Sequence, residues 1–170
     1  NSSDNEVVMY LEGSNNYATF HASRVNGYTL GSTALTISGS SGNDIITASS
    51  QADTITTGLG NDQVAGSSGA DNIDLGAGDD VAFVSVSDLT SDAAIDGGAG
   101  NDTLNFGQIY NVTVTGHSFD ASVNVNMSSL GNASNFENLV GTISGVDTLT
   151  GNSSDNVLIG SGGADTLYGN

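Results

Sequence analysis

Residues 39–83 read GSSGNDIIT, ASSQADTIT, TGLGNDQVA, GSSGADNID and LGAGDDVAF, five consecutive units of nine residues. The sixth position of every unit is an aspartate, and the eighth is apolar: Asp44, Asp53, Asp62, Asp71 and Asp80, followed by Ile46, Ile55, Val64, Ile73 and Ala82. A fixed period this short predicts one structural unit stacked on its own copies. The apolar position predicts one side chain per unit directed to a common core.

Glycine recurs at the first, second and fourth positions of the best-formed units, such as GGAGNDTLN at residues 97–105. Glycine lets the backbone adopt positive φ and turn tightly, so that carbonyl oxygens point to a common centre. Calcium takes about six to eight hard oxygen ligands in irregular geometry, whereas magnesium requires a near-ideal octahedron and zinc prefers His or Cys. The chain has two His and no Cys. The turns therefore predict calcium sites.

The charge of the chain cannot be balanced internally. One Arg, Arg24, and no Lys stand against nineteen Asp and Glu, which gives a formal net charge of −18. Nucleic acids and anionic membranes select basic patches, so both are excluded as partners, which leaves metal ions or a basic protein. Few aromatics and high net charge are also typical of disordered segments, and we expect the metal-free chain to be largely disordered. Without cysteines, disulfides cannot serve as the stabilising element.

The unit at residues 97–105 matches the pattern G-G-x-G-x-D-x-U-x at every fixed position. The chain thereby resembles the RTX (repeats-in-toxin) family of calcium-binding nonapeptide repeats. The resemblance implies an all-β fold, a right-handed parallel β-roll (a β-solenoid) with several inter-turn calcium ions. In that fold one unit makes half a coil, so turns on the same edge recur every eighteen residues.

The resemblance also implies the ligands. Each ion takes the carbonyls of positions two and four and the aspartate of one turn, with the carbonyls of positions one and three and the aspartate of the next turn on that edge. Three sites follow on one edge: Ser40, Gly42 and Asp44 with Thr57, Leu59 and Asp62; Gly58, Gly60 and Asp62 with Leu75, Ala77 and Asp80; and Gly76, Gly78 and Asp80 with Gly97, Ala99 and Asp102. The opposite edge pairs Ser49, Gln51 and Asp53 with Gly66, Ser68 and Asp71, and near the C-terminus Ile143, Gly145 and Asp147 pair with Gly160, Gly162 and Asp165.

Residues 1–29 carry no repeat and are expected to form a cap or a partner-contact segment, with short strands at 7–11 and 17–20. The β-roll is expected over residues 30–170. Its first turn, 30–38, has Leu35 in place of the aspartate and Ile37 at the inward position. Regular repeats occupy 39–83, 97–105 and 142–168, and alternation over 106–141 predicts longer strands of a continuing solenoid.

The spacing changes in the middle of the chain. Asp80 and Asp102 are twenty-two residues apart, which predicts one coil with a four-residue insertion that returns Asp102 to a position under Asp80. Residues 81–86 predict a continuous strand, and residues 87–92 a polar loop. In the last three units the ligand position holds Asp147, Asn156 and Asp165, and Asp155 is a candidate substitute for Asn156.

Catalytic sites find little support. His21 and His117 lack a nearby nucleophile motif, and Asp79 occupies the variable fifth position beside Asp80, so no glycosidase pair is expected. The outward positions show no regular hydroxyl array of the kind that binds ice. Ile45, Val81 and Phe83 would instead form an exposed apolar set, which indicates contact with another element or subunit. The chain is predicted not to be an enzyme.

The predicted function is a calcium-binding structural module that folds outside the cell, as part of a large secreted or cell-surface protein such as an S-layer, adhesin or extracellular filament. The alternative is a non-catalytic export and folding module of a secreted enzyme such as a protease or lipase. The expected partners are calcium and other subunits or copies of the chain, with no membrane insertion. The resemblance implies bacterial type I export, and we expect the chain to be a piece of a longer protein.

Overall fold

The computed structural model describes residues 34–66, 68–107 and 121–170, together with the backbone of the strands Val7–Tyr10 and Ala18–His21. The chain is an all-β solenoid of parallel sheets, as predicted. Its strands are β1 Val7–Tyr10, β2 Ala18–His21, β3 Leu35–Ser38, β4 Asp44–Thr47, β5 Thr54–Thr56, β6 Gln63–Ala65, β7 Asn72–Asp74, β8 Val81–Phe83, β9 Ala94–Asp96, β10 Thr103–Asn105, β11 Asn124–Asn126, β12 Ala133–Ser134, β13 Asn138–Val140, β14 Thr148–Thr150, β15 Val157–Ile159 and β16 Thr166–Tyr168. A short helix α1 spans Asp88–Ser91, and a 3₁₀ helix spans Met127–Ser129.

Successive strands alternate between two main sheets, because each nonapeptide makes half a coil. One sheet has the order β1-β3-β5-β7-β9-β12, and the other has the order β15-β13-β10-β8-β6-β4-β2. A third sheet has the order β11-β14-β16. Within the repeats the register joins equivalent positions eighteen residues apart, as in Ile37↔Ile55 and Ile46↔Val64.

The core holds the inward side chain of nearly every strand. The eighth position of the repeats at 39–83 and 97–105 is at most 3 % exposed, and equivalent residues continue the core along the chain: Ile37, Ile46, Ile55, Val64, Ile73, Ala82, Ile95, Leu104, Leu139 and Leu149. Burying an aliphatic side chain of this size contributes about 1.5–3 kcal/mol, and the larger side chains Phe106 and Phe136 are buried in the same thin core. Leu158 is partly buried and Leu167 is 45 % exposed, so the predicted inward positions are less covered in the last turns.

The predicted insertion is confirmed. The register pairs Ile73 with Ile95 and Ala82 with Leu104, each twenty-two residues apart, and Asp102 lies under Asp80. The extra residues include α1, where a polar loop was expected.

Two predictions of strand length are wrong. Strand β8 ends at Phe83 rather than continuing to Val86, because Ser85 and the following residues turn into α1. The longer strands predicted over 106–141 are also absent from the described part of that range, where β11, β12 and β13 have two or three residues each. The Asn126 side chain accepts the N–H of Ser128 and so ends β11 in the 3₁₀ helix. The strand-like residues 112–114 and His117 lie outside the described residues.

The apolar set expected on the surface is also largely covered. Phe83 is buried, and Ile45 and Val81 are half-buried. Thr47, Ala65 and Phe83 are buried on the face opposite the core, so this sheet carries buried side chains on both faces, as parallel sheets commonly do. Within the described residues, no helix has the length and hydrophobicity needed to cross a membrane.

Candidate calcium-binding edge

The aspartates of one edge form a continuous column. The N–H of Asp44 donates to Oδ1 of Asp62 at 2.7 Å, and the N–H of Asp62 donates to Oδ1 of Asp80 at 2.7 Å. The N–H of Asp80 then donates to Oδ1 of Asp102 at 2.9 Å across the insertion. Each of these side chains is at most 1 % exposed. The nine-residue period therefore produces a buried stack of carboxylates, one for each coil.

The glycine-rich turns stack so closely that their backbones are hydrogen-bonded. The Ala77 N–H donates to the Gly58 carbonyl at 2.9 Å, and the Ala77 carbonyl accepts the Gly60 N–H at 3.0 Å. Ala99 makes the same two contacts with Gly76 and Gly78, at 2.8 and 3.0 Å. A carbonyl oxygen has two lone pairs, so these oxygens keep an acceptor site for an ion.

Two further columns stand elsewhere in the solenoid. On the opposite edge the N–H of Leu35 donates to Oδ1 of Asp53 at 2.7 Å, and that of Asp53 donates to Oδ1 of Asp71 at 2.8 Å. Leu35 therefore occupies an aspartate position, as predicted, and stands above Asp53. Near the C-terminus the N–H of Val123 donates to Asp147, and that of Asp147 donates to Asp165, both to Oδ1 at 2.9 Å.

The turns differ in whether the second carboxylate oxygen, Oδ2, accepts a hydrogen bond from the protein. In two turns a Ser or Thr binds it: Oδ2 of Asp53 accepts the N–H and hydroxyl of Ser49, at 2.7 and 2.9 Å. Thr142 contacts Asp147 in the same way. In the glycine turns Oδ2 of Asp62, Asp80 and Asp102 is buried without any hydrogen-bond partner, and Oδ2 of Asp71 likewise has none. A buried charged atom without a partner is costly, so these four positions are where a cation is needed.

The raised pKa values of these carboxylates also indicate that a cation is needed beside them. Burial, with a contribution from neighbouring carboxylates, raises the pKa of Asp71 and of Asp80 to about 7 and that of Asp102 to about 6. Burial also raises the pKa of Asp53 and Asp62 above the ordinary aspartate value. A nearby positive charge favours the ionised form and reverses such shifts.

The arrangement suits calcium rather than a metal whose ligands are all side chains. Within the described ranges, no group of three or more acidic, His or Cys side chains could hold an ion. The stacked turns instead offer two carboxylates with backbone carbonyls around them, an all-oxygen set of the kind that calcium accepts. Bound calcium would supply the positive charge that the single Arg cannot.

A comparison with known protein families matches the RTX calcium-binding nonapeptide repeat in four copies, at residues 36–64, 47–82, 94–108 and 142–170, which together cover more than half of the chain. The chain belongs to the RTX calcium-binding repeat family. RTX repeats bind calcium, and their β-roll is a structural module that is generally non-catalytic. Comparison with curated proteins and with solved structures gave no match.

The structure places all five predicted pairs of RTX turns next to one another. On the first edge the turns at 39–44, 57–62, 75–80 and 97–102 stack in that order through the contacts given above. On the opposite edge the turn that contains Ser68 lies against the turn that contains Gln51. The two backbones are so close that a Cβ added to Gly69 would overlap the Gln51 carbonyl. Near the C-terminus Gly162 lies against the Ile143 carbonyl in the same manner. The ligand roles of these residues stay predictions.

Two residues in these columns were not predicted. Asp92 Oδ1 accepts the N–H of Asp71 at 3.2 Å, and Glu137 Oε2 accepts that of Asp102 at 2.9 Å, so both continue a column. The sequence held a signal for Glu137, because Glu137-Asn138-Leu139 repeats the D-x-U spacing with Glu in place of Asp. Asp92 lies one residue out of frame, beside the insertion.

The fifth position of the repeat, which was treated as variable, forms an outer ladder. The N–H of Asn61 donates to the Asn43 side chain at 2.8 Å, and that of Asp79 donates to the Asn61 side chain at 3.0 Å. The N–H of Asn101 continues the ladder to Asp79 at 3.1 Å. Asp79 therefore has a structural role beside the buried column.

Proposed function

We propose that this chain is an RTX module that folds on binding calcium outside the cell and serves as a structural part of a large secreted or cell-surface protein, such as an S-layer, adhesin or extracellular filament. The observation that carries the proposal is the column of buried Oδ2 atoms at Asp62, Asp80 and Asp102 that have no partner in the protein. With a net charge of −18, the single Arg of the chain cannot neutralise these carboxylates.

The composition of the sites favours an extracellular setting. Each pair of turns offers two carboxylates, and its other oxygens are neutral carbonyls. Calcium affinity rises with the number of charged ligands, and extracellular modules bind with dissociation constants of about 10⁻⁴–10⁻³ M. RTX repeats are also typical of secreted bacterial proteins. Export by a type I system and the predicted ion ligands belong to the same proposal.

The two end strands support a division of the chain. Strand β1 pairs with β3 and β2 pairs with β4, each in parallel register at the end of its sheet. We therefore propose that residues 1–29 form an N-terminal cap on a β-roll that spans 30–170. The alternative role, an export and folding module of a secreted protease or lipase, uses the same calcium chemistry and differs in what is attached to the module.

Circular dichroism of the whole chain tests the coupling of folding to calcium. In excess chelator we expect a largely disordered spectrum, because the stacked carboxylates repel one another and the core is thin. Millimolar calcium should produce the β signal, and the same concentration of magnesium should produce little of it. An equal β signal in chelator and in calcium would refute calcium-dependent folding.

A further inference from the structure

Glu137 occupies the position directly below Asp102 in the first column, although no nonapeptide unit surrounds it. The register of β10 and β13 pairs Thr103 with Asn138, which puts Glu137 beside Asp102. The Asp102 N–H donates to Oε2 of Glu137 at 2.9 Å. This is the contact that Asp62, Asp80 and Asp102 each make with the turn before, so Glu137 repeats the relationship outside the matched repeats.

We infer that Glu137 is a calcium ligand and that one more ion binds between the turn at 97–102 and the segment at 135–137. The inference rests on the proposed calcium-binding function and deepens it, because it assigns a site that the repeat pattern does not contain.

Asp102 supplies the observation that points to a ligand at this level. Its side chain is fully buried, and its Oδ2 has no hydrogen-bond partner. Its Oδ1 is already used by the N–H of Asp80, at 2.9 Å. With Glu137 added, two carboxylates meet at this level, and an all-oxygen set with this charge matches calcium.

The backbone at this level reproduces a feature of the repeats. In the first turn, a Cβ added to Gly39 would overlap the carbonyl oxygen of Thr57, the first residue of the next turn on that edge. A Cβ added to Gly97 would overlap the carbonyl oxygen of Asn135 in the same way. The carbonyl of Asn135 therefore lies where the carbonyl of the first residue lies in a regular repeat. Asn135 has a positive φ of 57°.

The column of charged ligands ends at Glu137. The next residue in register is Asn156, whose Oδ1 accepts the Asn152 N–H at 2.9 Å. Its Nδ2 donates to the Glu137 carbonyl at 2.8 Å and to the Asn152 side chain at 2.9 Å. The amide is thus satisfied by the protein and adds no charge, so no ion is expected between Glu137 and Asn156.

Counting bound calcium ions in the full chain tests the inference, with native mass spectrometry and equilibrium dialysis as two independent measures. The variant Glu137→Gln keeps an oxygen that can accept the Asp102 N–H and removes the charge. We expect it to bind one ion fewer than the wild type. The exposed carboxylate of Asp74, which lies outside the predicted ligand positions, provides a matched control: Asp74→Asn keeps the oxygen that accepts the Gly76 N–H and should bind the wild-type number.

The outcomes separate this inference from the proposed function. If the wild type binds no calcium, the proposed function fails. If the wild type binds calcium and Glu137→Gln binds the same number of ions, Glu137 only caps Asp102 and the inference alone fails. Should Glu137→Gln not fold in calcium, Glu137→Asp keeps the charge on a shorter side chain. It is expected to need several-fold more calcium for full occupancy, and wild-type affinity in that variant would overturn the inference.

Discussion

The N–H of Asp62 donates to Oδ1 of Asp80 at 2.7 Å, although eighteen residues separate the two in the chain. Asp62 in turn accepts the N–H of Asp44 on its own Oδ1, so it stands between two coils. Asp44 differs, because the register places Ala18 of β2 above it and no carboxylate. Removing the charge of Asp62 therefore affects two inter-turn levels, whereas removing that of Asp44 affects one. Leu35, which holds an aspartate position without a carboxylate, stands above Asp53 in the column of the opposite edge.

Asp62→Asn should reduce calcium affinity more than Asp44→Asn does. Asn keeps a carbonyl oxygen at the ligand position and loses only the charge, so the comparison isolates the number of ions that each carboxylate serves. We expect the difference to be about tenfold in the calcium concentration needed for half-maximal folding, which corresponds to about 1.4 kcal/mol. A calcium titration followed by circular dichroism measures it. Equal shifts for the two variants would contradict the stacked column.

The fold was predictable from the sequence because its repeat is strictly local. Nine residues specify a turn and a strand, and stacking at eighteen-residue intervals follows once one unit makes half a coil. The same reasoning located the insertion, since only a coil four residues longer returns Asp102 to its column. Strand length between the repeats was not predictable in this way, because Val123, Val125 and Met127 alternate as a strand while the Asn126 side chain directs the backbone into a 3₁₀ turn.

The calcium-free chain should gain stability as the pH falls from 8 to about 5.5. The pKa of Asp71 and of Asp80 is raised to about 7 in the folded chain, chiefly by burial, from 3.8. Between these values the folded state holds protons that the unfolded state has released, so the free energy of unfolding decreases as the pH rises through this window. Circular dichroism of calcium-depleted protein at pH 5.5 and pH 8 should therefore show more β structure at the lower pH.

Two comparisons check the origin of that pH dependence. In Asp80→Asn the gain on acidification should be smaller, because one of the raised groups is gone. In saturating calcium the sign should reverse, since protons then compete with the ion for the carboxylates. A calcium-free chain that gains β structure between pH 5.5 and pH 8 would show that the buried carboxylates do not control its stability.

Gly78→Ala should destabilise the calcium-loaded fold by about 2 kcal/mol or more. Gly78 has a φ of 149°, and a Cβ there would overlap the carbonyl oxygen of Gly60 in the preceding turn. Positive φ alone costs a non-glycine residue about 1–3 kcal/mol, and the overlap separates two stacked turns. Gly169→Ala is the control, because its Cβ would meet no atom within 4 Å. Urea unfolding in calcium measures both variants, and similar midpoints would argue against close stacking at Gly78.

The parts of the calcium-binding edge that escaped prediction lie where the strict period fails. Asp92 belongs to the column of Asp71, but the insertion shifts it by one residue from the frame. Glu137 is in frame with Leu139, yet it is a Glu thirty-five residues beyond Asp102, and only the pairing of β10 with β13 brings the two together. A local repeat can specify its own contacts, whereas contacts across an irregular connection depend on how that connection folds.

Deleting residues 1–29 should turn the β-roll into a self-associating protein. Strands β1 and β2 cover the outer edges of β3 and β4, and an uncovered strand edge presents unpaired N–H and carbonyl groups that pair with other chains. We expect the truncated chain to fold in calcium, as judged by circular dichroism, and to form larger particles in light scattering than the full chain does. In chelator the truncated chain should not associate in this way, because its strands have not formed. If the full chain instead assembles in calcium and the truncated chain does not, residues 1–29 are a contact segment for other subunits rather than a cap.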